Sequence, residues 1–340
     1  MRTLLRPWLT AVVLGWTAWP CFAQQPPVKE TLHAPTPSAQ SIAATVNGQP
    51  IYEAAVQRGL KRVPPDKHSE VRPDVVDNLV ENVLVEQYLK QMRVEVEAKD
   101  IDKRLGELKA ECKKQNVAYE KFLEDRSLSE AEVKEHLAAE LRWEKFVDGQ
   151  ATEARLRGLF DTSKEMFDGS LVRVRHILLA PDMKNTQEVE AARGKLAGFK
   201  KQIEAEVAAG LAKLPAGADN LAREKERIKL VDAAFAKIAE KESACPSKRQ
   251  GGDVGWFDRA GNMVEPFAKA AFALKSYQMS ELVETQFGLH LLLMLDRKPG
   301  KEVKFDDIKD EVKEAYGEKL LEAVVAQMRK SARIEIAPKK

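Results

Sequence analysis

Val172-Arg-Val-Arg-His176-Ile-Leu-Leu179 and Gln286-Phe-Gly-Leu-His290-Leu-Leu-Leu-Met294 are the stretches whose reading decides how this chain folds. Both read as apolar strands. Alternate side chains of a strand share a face, so Val172, Val174, His176 and Leu178 point one way. His290, Leu292 and Met294 likewise share a face. A single histidine on such a strand is ordinarily a satisfied core residue. Here there are two, and between them run a cysteine and a glycine turn, Ser243-Ala-Cys245-Pro-Ser-Lys-Arg-Gln-Gly251-Gly252-Asp253-Val254-Gly255-Trp256-Phe257, followed by Met263-Val-Glu-Pro-Phe267.

Working outward, the first residues read as a targeting segment. Arg2 and Arg6 are followed by an apolar run from Leu9 to Trp19 that is short for a bilayer span. Cys21-Phe22-Ala23 then offers a small-x-small cleavage site. The expectation is an exported protein with a signal peptide over 1–23, cleaved near Ala23. An uncleaved membrane anchor is the other reading, and the absence of Leu-x-x-Cys before Cys21 argues against a lipoprotein. The formal net charge of +2 gives no argument for nucleic acid, and mixed-sign charges at 32% of residues read as solvated helical surface. Beyond Cys21 only Cys112 and Cys245 remain, which is no disulfide framework, and no Cys/His spacing resembles a zinc site.

Residues 24–40 are rich in Pro, Gln, Thr and Ser and read as a flexible tether. Ile42-Ala-Ala-Thr-Val46 reads as a strand, Asn47-Gly48 as a tight turn, and Gln49-Pro50-Ile51 leads into a helix near Glu53. Val76, Leu79, Val80, Val83, Leu84 and Met92 recur at helical spacing, as do Ile101, Leu105, Leu108 and Cys112. These stripes are read as core-facing; the bolder alternative has some of them lining a client groove. Ser129 and Glu132 fit a capping box, with Leu128 placed to staple, and Val133, Leu137 and Leu141 continue that helix. His33, His68 and His136 fall in tether, loop and helix surface and receive no role. A long helix through Phe305, Val312, Val324 and Met328 precedes a last strand near Ile334-Glu-Ile336.

The histidine strands, the Cys245 loop and Met263-Val-Glu-Pro-Phe267 together resemble the parvulin family of peptidyl-prolyl isomerases. The opening "strand, NG, x-Pro-Ile, helix" resembles the chaperone module of SurA/PrsA-type exported foldases. The resemblance implies an α+β fold. A parvulin domain over 169–299, a small antiparallel sheet flanked by helices, is inserted into a discontinuous, mainly helical chaperone-like domain of residues 41–168 and 300–340. Ile334-Glu-Ile336 is then expected to pair with Ala44-Thr-Val46. The implied chemistry is rotation about an Xaa-Pro bond, with no metal, no small-molecule cofactor and no covalent step. The implied partners are unfolded or proline-containing polypeptides.

Residue by residue, the resemblance places His176 and His290 together at the sheet centre as supports for the site rather than general bases. Thr285 hydrogen-bonds in that cluster. Cys245 tunes the polar side of the pocket near the substrate carbonyl; its alternatives are an idle small side chain or a disulfide with Cys112. Val254, Met263 and Phe267 form the proline pocket, although a Met/Phe pair at helical spacing is more often core. Phe287 sits at the rim. The loop Ala180-Pro-Asp-Met-Lys-Asn-Thr186 has one Lys beside an Asp, so a phosphate clamp is not expected. The family pattern is broken by 69 residues between His176 and Cys245. Two charged helices there read as an extended hairpin near 184–232, either plainly solvated or a client-contacting arm. The competing reading of the whole chain is a holdase chaperone with a weak or inactive isomerase domain.

Overall fold

Asn47 and Gly48 both adopt left-handed backbone, φ 52° and 82°, which is the twist that a two-residue hairpin turn demands. They join β1 (Ile42–Val46) to β2 (Gln49–Tyr52). The computed structural model describes residues 41–61, 63–261 and 263–337, so the expected signal peptide, cleavage site and tether lie outside the described residues. The chain divides into two compact units: residues up to Leu156 together with those from Lys313, and the contiguous segment Arg157–Val312.

The first unit continues with α1 (Glu53–Leu60), α2 (His68–Gln91), α3 (Ala98–Lys114), α4 (Tyr119–Arg126), α5 (Glu130–Gln150) and α6 (Glu153–Thr162), which runs on into the second unit. Its main core gathers Val56, Val76, Val80, Leu84, Leu89 and Phe146 with Val324 and Met328 from the far end of the sequence. A second cluster joins Leu105, Leu108 and Cys112 of α3 to Phe122, Leu128, Val133 and Leu137. The Ser129–Glu132 capping box forms, with Glu132 N–H on Ser129 Oγ at 3.2 Å and Ser129 N–H on Glu132 Oε2 at 2.9 Å. Leu128 and Val133 bury together beside it, as a staple requires.

The second unit holds β3 (Leu171–Leu179), α7 (Thr186–Leu211), α8 (Asn220–Glu242), β4 (Asp253–Asp258), α9 (Glu265–Ala273), β5 (Val283–Thr285) and β6 (Gly288–Lys298). Its strands form one antiparallel sheet in the order β4-β3-β6-β5. Alternation sorts the side chains as the sequence implied. Val172, Val174, Leu292 and Met294 bury with Phe257, Phe267 and Phe272 on the α9 face. Ile177, Leu289, Leu291 and Leu293 bury on the other face against Ala192, Leu196 and Ile203 of α7 and Val231, Phe235 and Ile238 of α8. The hairpin is thus half packed. Its sheet-proximal turns cover the strands, whereas from Glu204 to Leu230 no residue is buried.

The chain then returns to the first unit through α10 (Lys309–Arg329) and β7 (Ile334–Ile336). β7 pairs antiparallel with β1, Ala44 opposite Ile336, Thr45 opposite Glu335 and Val46 opposite Ile334, which is the expected pairing. Three readings need correction. Met92 is 51% exposed because α2 ends at Gln91 and Met92 is its cap, past the turn where the stripe still faces the core. Gln49-Pro50-Ile51 is not a mere lead-in but part of a strand, tolerated with its proline because β2 is an edge. His136 is half-buried rather than on the surface, and burial pushes its imidazole below the usual range.

Candidate active site

The two central strands bring the histidines together. In the β3–β6 register Leu178 lies opposite His290 and His176 opposite Leu292, so the two imidazoles are diagonal neighbours on one face. Their rings stack at 5.4 Å and 17°, with the Nδ1 atoms 3.2 Å apart. β5 adds Thr285, whose Oγ1 lies 2.8 Å from His290 Nε2 and accepts the Phe287 N–H at 3.1 Å. One proton therefore sets the whole chain of bonds. If Thr285 donates to His290 Nε2, His290 donates from Nδ1 to His176, and His176 carries its proton on Nε2; the reverse order inverts every bond. Either way His176 Nε2 is the buried end of the relay, with no hydrogen-bond partner among the described residues. Burial holds both imidazoles down at about 4, and at His176 the neighbouring His290 adds to the effect. Near pH 7 the pair is neutral. It orients and polarises but carries no charge.

Phe267 on α9 closes this cluster. Its ring meets His176 and His290 edge to face, each at 5.4 Å, and Phe257 at 5.9 Å. It is 3% exposed, which makes it a buried wall. Val254 and Met263 are half-buried against the same apolar cluster. The loop that presents Met263 is held by Arg259, a buried guanidinium that grips Glu265 through two hydrogen bonds of 2.6 and 2.8 Å.

Cys245 is half-buried and unpaired; Cys112 is buried in the helical unit, also with a free thiol. The Cys245 loop is fastened to β3: Ala244 N–H donates to the Leu178 carbonyl at 2.8 Å, and buried Ser243 Oγ accepts from the N–H groups of Leu178 and Cys245 at 3.1 and 3.3 Å. The turn after it returns hard against the strand. His176 N–H donates to the Gly252 carbonyl at 2.9 Å, and a Cβ on Gly252 would lie 2.4 Å from the His176 carbonyl oxygen. With φ at +81° as well, only glycine fits. Asp253 then fixes β4 through Arg173, Nε to Oδ2 at 2.9 Å, and through Gly255 N–H. Burial would raise this carboxyl, but those two contacts hold it below the usual range.

The structure thus joins His176, His290, Thr285 and Phe267 in direct contact and adds Val254 and Met263 to their apolar cluster. Cys245 and Phe287 lie on the bordering loops, Phe287 at 54% exposure. Ser243 and the Arg259–Glu265 clamp went unseen in the sequence. A serine two residues before a cysteine and an Arg six residues before a Glu carry no periodic signature.

Two neutral strand histidines and a buried phenylalanine wall thus make up the centre of this sheet face. Residues 176–296 match the model of the PPIC-type peptidyl-prolyl isomerase domain, so the second unit is a parvulin-type peptidyl-prolyl cis-trans isomerase domain. Residues 1–147 match the SurA-like N-terminal domain. The chain is 30% identical over 264 residues to the foldase protein PrsA of Bacillus subtilis (strain 168), covering 75% of this chain and 73% of that one. It belongs to the PrsA family of foldases. Among solved structures it is similar to the peptidylprolyl isomerase PrsA of Bacillus anthracis, at 20% identity over 78% of this chain and 99% of that one, TM-score 0.40. It is also similar to the SurA-like chaperones described for Campylobacter jejuni, the virulence factor PEB4 and the periplasmic protein Cj1289, at 24% identity over 85% of this chain and 96% of that one, TM-score 0.27. At these TM-scores the structural likeness adds nothing to the sequence matches.

Proposed function

We propose that this foldase acts outside the cytoplasm, rotating unphosphorylated Xaa-Pro bonds in unfolded clients. The observation that carries the reading is the neutral Thr285–His290–His176 relay walled by Phe267. An Xaa-Pro bond in transit has lost amide resonance, and its carbonyl is less polar than in the planar forms. A barrier of ~18–20 kcal/mol falls by about 5–7 kcal/mol if a site favours the twisted form enough for millisecond turnover. A dry wall supplies much of this by excluding water from the rotating amide. Phe267, Met263 and Val254 take the proline ring, Phe287 covers the rim, and Cys245 faces the carbonyl. The histidines hold the floor of the pocket rigid. The loop from Ala180 to Asn185 offers Lys184 alone, while Asn185 is spent capping α7, which favours unphosphorylated substrates. Export is supported by the basic, apolar and small-x-small order of the first residues.

The test is cis-trans exchange on an unphosphorylated Ala-Pro peptide, followed by NMR exchange spectroscopy. Catalysed exchange is expected, with at least a tenfold loss in Met263→Ala and Cys245→Ala, both at half-buried positions, with native amide spectra checking that each variant is folded. Exchange no faster than the uncatalysed rate in a folded chain would overturn the reading in favour of a holdase.

A further inference from the structure

Four carboxylates on the strands and helices around the pocket are each held by a cation: Asp253 by Arg173, Asp232 by Arg175 at 2.7 Å, Glu265 by Arg259, and Glu284 by Arg193 at 2.6 Å. On the loop before α7, Asp182 Oδ1 accepts the Lys184 backbone N–H at 3.0 Å. The turn that follows Cys245 carries cations with no such match. There Lys248 and Arg249 are both exposed, and neither has an ion-pair partner among the described residues. The turn cannot drift from the site. Lys248 N–H donates to the Cys245 carbonyl at 3.0 Å, Arg175 Nη1 donates to the Gln250 carbonyl at 2.8 Å, and Gly252 is locked on His176. The backbone of this turn is thus fixed, and it presents two exposed cations three and four residues past Cys245.

We infer that Lys248 and Arg249 select substrates, favouring client segments with an Asp or Glu within a few residues of the proline. This rests on the isomerase reading and adds to it a charge preference. A peptide carboxylate near two solvent-facing cations gains on the order of tenfold over the same peptide bearing lysine, and salt screens the gain. Lone carboxylates at flexible peptide positions do not demand the geometry of a phosphate clamp, so the preference does not require phosphorylation.

The experiment uses the full chain and three peptides differing only beside the proline, with Glu, Ala or Lys. Two quantities are read for each: catalysed exchange by NMR, and affinity from chemical-shift changes of the Cys245–Gly255 amides. At low salt the wild type should prefer the Glu peptide over the Lys peptide about tenfold, and 0.5 M NaCl should compress the ratio toward one. Lys248→Glu combined with Arg249→Glu, at exposed positions, should invert the ratio. An equal response to Glu and Lys peptides, or a preference untouched by the charge reversal, overturns the inference. Peptides that bind with the inverting preference yet show no catalysed exchange sink the isomerase reading and leave the charge selection standing.

Discussion

Acidification from pH 7.5 to 4.5 should weaken the isomerase unit through His176 and His290. Both imidazoles sit at about 4 in the folded chain, against 6.5 when unburied. Between those limits the unfolded chain binds more protons than the folded one. Stability is therefore fully present above pH 6.5 and is lost progressively as the pH falls toward 4. At pH 4.5 the loss is roughly 2–3 kcal/mol for one ring. Because the rings share a hydrogen bond and titrate as a coupled pair, counting them once gives a floor of about 2 kcal/mol. Asp253, held below its ordinary 3.8, does not contribute at pH 4.5. The assay is urea unfolding read by methyl NMR on Val172, Val174 and Leu292, with Val56, Val80 and Leu84 of the helical unit as internal reference. The isomerase midpoint should drop by at least about 1 M urea, and replacing both histidines, His176→Asn with His290→Asn, should abolish the drop. Equal shifts in both units, or histidine resonances titrating near 6.5 in the folded chain, would refute the reasoning.

In the helical unit the sign reverses at one site. Burial raises the Glu140 carboxyl to about 7 although Arg104 opposes it, so its contribution is present at low pH and lost as pH rises through 7; Glu140→Gln should remove that slope in the same urea series. Thr285→Val strips His290 Nε2 and the Phe287 N–H of their shared partner and should cost about 1–3 kcal/mol, with a changed His290 tautomer visible in its ring nitrogen shifts. Gly252→Ala forces a Cβ onto the His176 carbonyl at positive φ and should cost more than ~3 kcal/mol, seen as loss of native amide signals from β3. Ser129→Ala removes one arm of the capping box and should lower only the helical unit's stability, by about 1 kcal/mol, in calorimetry or urea unfolding.

Much of this architecture was legible because it rests on short periods. Two-residue alternation assigned Val172, Val174, Leu292 and Met294 to one face, and Asn47-Gly48 announced a left-handed turn that Asn47 and Gly48 adopt. The pairing of β7 with β1 followed from a family resemblance, since three residues carry no pattern of their own. What escaped was set by tertiary context. A register shift between Arg173 and Val174 in the β3–β6 ladder leaves no trace in the alternation of apolar residues. The Arg259–Glu265 clamp spans six residues and follows from the loop between them rather than from any repeating period. Met92 shows the opposite failure: a stripe extrapolated one residue past the helix that justified it.

The closure of the first sheet has a consequence for how the chain is made. Thr45 and Glu335, paired across β1 and β7, are separated by 290 positions, whereas every strand contact of the inserted unit lies within Arg157–Val312. During synthesis or translocation, the inserted unit can complete its sheet while β1 still waits for its partner. Contacts of such span are slow to form, because the loop must close before it is rewarded. The order of assembly is thus inside-out. The catalytic module becomes competent first, and the scaffold that surrounds it in sequence locks last. A nascent molecule of this foldase is expected to complete its isomerase sheet before its chaperone sheet, which time-resolved hydrogen exchange during refolding would check.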